Sequence, residues 1–113
     1  MLKSLKHLGD NNKIEIGNSD DFEIYHDGSN SFIGNGTGYL LVNSVGNNII
    51  RSNANVELQP ASGETGVKCI ANGGVELYYN NTKRLETKSN GITMNVTGSE
   101  GVLITGATST TET

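Results

Sequence analysis

The sequence predicts an all-β fold made of short strands. Of its 113 residues, 51 are Gly, Asn, Ser or Thr, and only 27 are Leu, Ile, Val or Phe. Gly and Asn reach positive φ with little strain, so they mark tight turns. Short apolar or alternating runs recur mostly 8 to 10 residues apart, and DG, NG, GG, SG and TG dipeptides lie between them. Strands of that length at that spacing are typical of a sandwich, barrel, solenoid or prism.

The hydrophobic core that this composition allows is thin. The chain has no Trp, and its aromatic content is 5%. Chains of this size already bury a modest share of their surface, and marginal cores are commonly completed by oligomerisation. The sequence therefore predicts either a narrow repetitive stack or a core shared by several chains.

The expected strands alternate between apolar and polar side chains. In chain order the runs are KIEI (13–16), FEIYH (22–26), SFI (31–33), YLLV (39–42), NII (48–50), VEL (56–58), VKCI (67–70), VELYY (75–79), RLE (84–86), ITMNV (92–96) and VLI (102–104). Within FEIYH, Phe22, Ile24 and His26 share one face. Glu23 and Tyr25 share the other face. Such alternation predicts sheets with one buried face and one face in water.

The chain contains an internal repeat. A shift of 53 residues places FEIYHDGSNSFIGNGTGYLLV (22–42) on VELYYNNTKRLETKSNGITMN (75–95). Both copies read apolar, Glu, apolar, Tyr, turn, short strand, turn with Gly, strand. Repetition of this kind favours a stacked or prism-like architecture over a single irregular globule.

Two stretches resemble a known family. GDNNKIEIGNSDDFEIYHDGSNSFI (9–33) and VELYYNNTKRLETKSNGITMNVTG (75–98) are similar to paired segments of tail fibres and other appendage proteins of marine tailed phages, especially those of cyanobacteria. The resemblance spans roughly residues 9–106. It identifies a structural module rather than a reaction.

This resemblance implies a homotrimer with a short-stranded, β-prism or β-helix-like fibre fold. We expect an intertwined trimer, and a side-by-side trimer is the alternative. We expect a lead-in at 1–11, either a short helix or irregular, a fibre domain at 12–106 and a polar tail at 107–113. The implied protein is a virion component, made in the host cytoplasm, whose partners are itself, other tail or baseplate proteins and host-surface polysaccharide. The side chains expected in the trimer core are Ile14, Ile16, Phe22, Ile24, Leu77, Leu85 and Ile92.

The His, Cys, Asp and Glu residues form no recognisable catalytic motif in the sequence, so we expect no enzymatic activity and no cofactor. His7 and His26 are too few for a zinc site, and no metal is expected. Cys69 is the only cysteine, so it forms no internal disulfide. Paired carboxylates suit glycoside hydrolysis, and the acids between 20 and 27 are the candidates for an alternative, polysaccharide-degrading spike. A monomeric β-solenoid binding module is the other alternative.

Charge and hydropathy exclude two further classes of partner. The net charge is −4, so no basic footprint for nucleic acid is present. No apolar run reaches the length of a membrane span, so no membrane insertion is expected.

Exposed aromatic and amide side chains suggest a second role, contact with glycans. Tyr25 and Tyr78 are equivalent in the repeat and share a face with Glu23 and Glu76. Packing within a trimer explains the two tyrosines as well as sugar binding does. The expected glycan contacts are Tyr25, Asn30, Tyr78, Asn80 and Asn81.

Overall fold

The chain forms short antiparallel strands in the residues that the computed structural model describes, which are 7–96. Within that range it contains eight strands and no helix, so the all-β prediction is confirmed. The strands form two antiparallel sheets, and neither closes into a barrel. Contacts divide the chain into two units, Met1–Asn48 and Ile49–Thr113, and each unit holds one sheet.

Both sheets are meanders in which every strand pairs with the next one along the chain. The first sheet has the order β1-β2-β3 and the second has the order β4-β5-β6-β7-β8. The strands are β1 (Ile14–Ile16), β2 (Phe22–His26), β3 (Ser31–Asn35), β4 (Val56–Leu58), β5 (Val67–Cys69), β6 (Val75–Tyr79), β7 (Thr82–Lys88) and β8 (Gly91–Met94). Pairings of this kind join residues that are close in sequence.

The first sheet has one apolar face. Ile24 lies opposite Ile14 on β1 and opposite Ile33 on β3. Since residues directly opposite each other point to the same side of a sheet, these side chains share a face. The apolar face of the first sheet consists of Ile14, Ile16, Phe22, Ile24 and Ile33, with His26, Ser31 and Asn35 at its ends.

The second sheet is amphipathic in the same way. Leu77 on β6 lies opposite Val67 on β5 and opposite Leu85 on β7. The apolar face of the second sheet consists of Val56, Leu58, Val67, Cys69, Val75, Leu77, Leu85, Ile92 and Met94. Its other side, the charged face, carries Glu57, Lys68, Glu76, Tyr78, Lys83, Glu86, Lys88 and Thr93.

The turn between β6 and β7 shows why two asparagines stand together there. Asn80 and Asn81 are the only residues between the two strands, and their φ angles are 47° and 56°. Positive φ at both central residues is the geometry of the type I′ turn, whose twist matches that of the flanking strands. Asn adopts this conformation more easily than most residues, so the local sequence specifies a tight hairpin.

Two of the expected strands are absent from the described part of the chain. YLLV (39–42) and NII (48–50) lie in a stretch without regular secondary structure. Their apolar residues favour a strand, but a strand also needs a neighbour to accept its backbone hydrogen bonds, and the described residues supply none there. The expected strand at 102–104, the polar tail at 107–113 and residues 1–6 of the lead-in lie outside the described residues.

Candidate functional site

The apolar faces of the two sheets are exposed to water. None of the described side chains is buried, so neither sheet covers its own hydrophobic residues. Ile33 on the first sheet and Ile92 on the second are 64% and 62% exposed. Contiguous apolar surface of this kind marks an interaction site in a folded protein. These two faces are therefore the main candidate for a functional surface.

All residues predicted for the trimer core lie on these faces. The structure brings Ile14, Ile16, Phe22 and Ile24 together on the first sheet, and Leu77, Leu85 and Ile92 together on the second. The prediction omitted Ile33, Val56, Leu58, Val67, Val75 and Met94, which share these faces. The alternation within each run indicated on which side of its strand each of these residues lies. Which residues lie opposite them on the neighbouring strands follows only from the strand register.

The charged face of the second sheet carries two groups of ion pairs. Lys68 Nζ lies 3.0 Å from a Glu57 carboxylate oxygen, across the β4–β5 pair. On β6 and β7, Lys83 contacts Glu76 and Glu86, and Lys88 Nζ lies 3.0 Å from Glu86. Acids and bases are thus interspersed on β4 to β7, where cross-strand pairs of opposite charge stabilise a sheet.

Lys83 holds together two glutamates that face each other. Glu76 and Glu86 are cross-strand partners, and Lys83 Nζ donates to both, at 3.0 Å and 2.6 Å. A register shift between Leu77 and Tyr78 brings Lys83 to this face. The Tyr78 hydroxyl, followed by Lys83, lowers the pKa of Glu76 below 4.5, and Lys83, followed by Lys88, lowers that of Glu86. The two carboxylates, Glu86 first, raise the pKa of Lys83.

Replacing Lys83 with Met should lower the melting temperature at neutral pH, because two facing carboxylates lose the cation between them. The effect should be modest, since exposed ion pairs contribute little. A depressed carboxyl pKa stabilises the fold above the ordinary value of 4.5, and this contribution is lost as the pH falls through the folded-state pKa. The deficit of Lys83→Met should therefore vanish in acid.

Lys88→Met is the matched control for this prediction. It also removes one positive charge and one ion pair to Glu86, but it leaves Glu76 and Glu86 joined by Lys83. Melting followed by circular dichroism between acidic and neutral pH compares the two variants. Equal melting temperatures at neutral pH would contradict the bridging role of Lys83.

The YHDG stretch that precedes β3 ends in a capped turn. The Asp27 carboxylate accepts the backbone N–H groups of Ser29, at 2.8 Å, and Asn30, at 2.7 Å. These bonds, that from Asn30 first, lower the pKa of Asp27. Gly28 has a φ of 99°, which favours glycine at this position. The acid and the glycine are thus explained by the turn itself.

The acids proposed for the enzymatic alternative differ in their contacts. Asp27 is bound to the backbone, and the neighbouring His26 Nδ1 lies 3.2 Å from Ser31 Oγ across the β2–β3 pair. The Glu23 carboxylate pairs with Lys13 Nζ at 2.8 Å. Asp20 and Asp21, with Glu23, line an open depression beside β3. Within residues 7–96, no three His, Cys, Asp or Glu side chains are grouped closely enough to hold a metal.

The five residues predicted to contact glycan are divided between the two units, with Tyr25 and Asn30 in the first and Tyr78, Asn80 and Asn81 in the second. Tyr25 is stacked on Phe32, with ring centroids 4.8 Å apart, and Lys13 Nζ lies 4.9 Å from its ring. The Tyr78 hydroxyl donates to Glu76 at 2.6 Å. Tyr25 and Tyr78 thus contact their own sheets, and each lies on the face that carries a glutamate of its own strand.

The amide residues of that set belong to turns. Asn81 Oδ1 accepts the backbone N–H of Thr65 at 2.9 Å, and Asn80 stands beside it in the β6–β7 turn. Asn30 closes the turn before β3 by donating its backbone N–H to Asp27. Positive φ and backbone hydrogen bonds identify the roles of these residues in turns. The residue types alone do not distinguish such a role from contact with a ligand. Glycan contact stays a prediction.

No protein-family profile, curated protein or solved structure matches the chain. In the part of the chain that the structure describes, no helix has the length and hydrophobicity required to cross a membrane.

Proposed function

We propose that this chain is a non-enzymatic structural module of a phage tail fibre and that it works as a homotrimer. The single observation that carries the proposal is that each sheet has an apolar face on which no side chain is buried. Three copies with these faces turned toward a common axis form a β-prism, whose core is shared between the chains. The resemblance of residues 9–33 and 75–98 to phage appendage segments supports the same assembly.

The energetics of folding support a shared core. Ordering a residue costs about 1–2 kcal/mol of backbone entropy. Burying a Val, Leu or Ile side chain contributes about 1.5–3 kcal/mol. A single copy buries none of the second sheet's aliphatic side chains fully, so it gains only part of this contribution. Apposition of three apolar faces supplies it without any change in the strands.

The charged face of the second sheet suits the outside of a fibre. Its carboxylates and amines are paired with each other, and it presents acids and bases in alternation. Mixed charge at a surface favours solubility and opposes edge-to-edge aggregation of sheets. The trimer would serve in the virion as a rigid shaft or tip, in contact with other tail or baseplate proteins. Weak contacts to host-surface polysaccharide would be multiplied by its three copies.

The native cysteine tests both the trimer and the direction of its apolar face. Cys69 is exposed in the single chain and lies on the apolar face of the second sheet. In the proposed trimer, light scattering should give three times the chain mass of 12.0 kDa, and Cys69 should react slowly with a maleimide until the protein is denatured. A freely reactive thiol in a trimer would contradict the inward apolar face.

Moving the thiol to the opposite side of the sheet provides the control. The double variant Cys69→Ser, Thr93→Cys carries its thiol on the charged face, which the proposal places in water. That thiol should react quickly in the native trimer. A 12.0 kDa monomer under native conditions would contradict the proposed function altogether.

A further inference from the structure

Residues 39–42 form the most exposed apolar stretch of the described chain next to a strand. Tyr39, Leu41 and Val42 are 89%, 82% and 71% exposed. The stretch has no strand pairing, although it follows β3 after only three residues. An exposed run of this length is unfavourable in water, so its side chains require a partner.

The pattern of this stretch differs from that of the other strands. Successive side chains in an extended chain point to opposite sides, so Tyr39 and Leu41 share one side. Leu40 and Val42 share the other side, and both sides are apolar. A short continuous apolar run is typical of a strand that is covered on both faces. The described part of a single chain provides no such cover for residues 39–42.

The outer edge of β3 has a place for one more strand. β3 pairs with β2 on one side, and no described residue pairs with its other edge. In the second copy of the repeat, β8 occupies the equivalent edge of β7. The 53-residue shift places residues 38–41 on β8 (91–94). The first copy of the repeat therefore contains a segment equivalent to β8, but this segment is not a strand of the first sheet.

In the described structure this stretch does not pair with its own β3. The Gly36 backbone N–H donates to the Asp21 carbonyl at 2.6 Å, which extends the β2–β3 pairing by one position. The Val42 carbonyl accepts the side-chain N–H of Asn48 at 3.1 Å. Neither contact pairs residues 39–42 with their own β3.

We propose that residues 39–42 of one copy add as a strand to the free edge of β3 in a second copy of this chain. Main-chain hydrogen bonds at an exposed sheet edge provide the attachment, and the apolar side chains enter the shared core. The exchange makes the assembly interlocked rather than side by side. This inference rests on the proposed trimer, and it identifies which segment crosses between chains.

Mixed disulfides between two differently tagged chains test the exchange. Both chains carry Cys69→Ser. One also carries Gly34→Cys on β3, where a Cβ meets no atom within 4 Å. The other carries a cysteine in place of Tyr39, Leu40 or Leu41 in turn, which covers neighbouring registers. After the chains are refolded together and oxidised, we expect a covalent heterodimer at one position on a denaturing, non-reducing gel.

The outcomes separate this inference from the proposed function. A trimer in which the mixed chains form no covalent heterodimer, while a separately made chain carrying Gly34→Cys and the second cysteine together becomes cross-linked within itself, overturns the exchange and leaves the trimer standing. A trimer with no disulfide at any of the three positions also overturns it. A monomer overturns both proposals.

Hydrogen exchange on the unaltered protein provides a second measurement that needs no substitution. The amides of residues 39–42 should exchange slowly in the trimer, since they would be paired with β3 of the neighbouring copy. Exchange of these amides as fast as in an unfolded peptide would overturn the inference.

Discussion

Replacing Leu77 with Lys is expected to convert the trimer into a 12.0 kDa monomer. Leu77 is central on the apolar face of the second sheet, because it lies between Val67 on β5 and Leu85 on β7. Its side chain is 40% exposed in a single chain, so the substitution disturbs little within one copy. The effect arises from assembly, where position 77 would enter the shared core of all three chains.

The size of the effect follows from the burial of charge. Removing an unpaired charge from water costs several kcal/mol after relaxation of the surroundings. The lost burial of Leu adds about 1.5–3 kcal/mol. Both terms apply three times in a symmetric trimer. The monomer should be detected by light scattering, and its circular dichroism should show loss of the sheet signal.

Thr93→Lys is the matched control. It introduces the same side chain into the same sheet, but on the charged face and opposite Glu86. This variant should remain trimeric, because an added lysine there stays in water beside a carboxylate. A trimeric Leu77→Lys protein would contradict the inward position of the apolar face. Dissociation of both variants would show only that the sheet tolerates no lysine.

The alternation in the sequence predicted the sheet faces well. The runs FEIYH and VELYY became β2 and β6 with the same bounds, since alternation and the turn residues after them agree. The run RLE (84–86) is part of the longer strand β7, because the type I′ turn brings Thr82 into register with Tyr79. Local patterns therefore identify strands, whereas their ends depend on the partner strand.

The stretches 39–42 and 48–50 show the limit of local patterns. Their composition favours strands, yet within the described residues neither stretch is paired with a strand. Pairing partners depend on the three-dimensional arrangement, and a run of residue types does not encode them by itself. The side of the sheet that each core candidate takes was predictable from alternation, whereas its place in a trimer core stays a prediction.

The glycan candidates were chosen for the chemistry of their side chains. Sequence alone does not show that Phe32 covers one side of the Tyr25 ring, or that Asn80 and Asn81 are needed for positive φ. Both facts require the pairing register. The turn dipeptides were interpreted correctly at Gly28 and Gly91, whose φ values are positive. Gly73 also lies in a turn, between β5 and β6, but the positive φ there belongs to Asn72 and not to Gly73 or Gly74.

Gly74 has a steric role, and Gly74→Ala should destabilise the fold by about 1–3 kcal/mol, as overpacking does elsewhere. A Cβ at this position would overlap the backbone carbonyl oxygen of Thr87 on β7. Thr87 also accepts the Val75 backbone N–H on its hydroxyl at 2.9 Å, which holds the start of β6 against β7. Since the obstacle is backbone, the strands must separate to admit a methyl group.

Gly46→Ala is the matched control for this loss, because a Cβ there meets nothing within 4 Å and the φ of Gly46 is ordinary. That variant should be neutral or more stable by about 0.4–1 kcal/mol, through a less flexible unfolded chain. Thermal unfolding should be compared at one protein concentration, because the melting temperature of an oligomer depends on it. If the Gly74→Ala and Gly46→Ala proteins have the same melting temperature, the close approach of β6 and β7 at Thr87 is contradicted. A selective loss would show that Gly74 is required for this contact, whatever the oligomeric state.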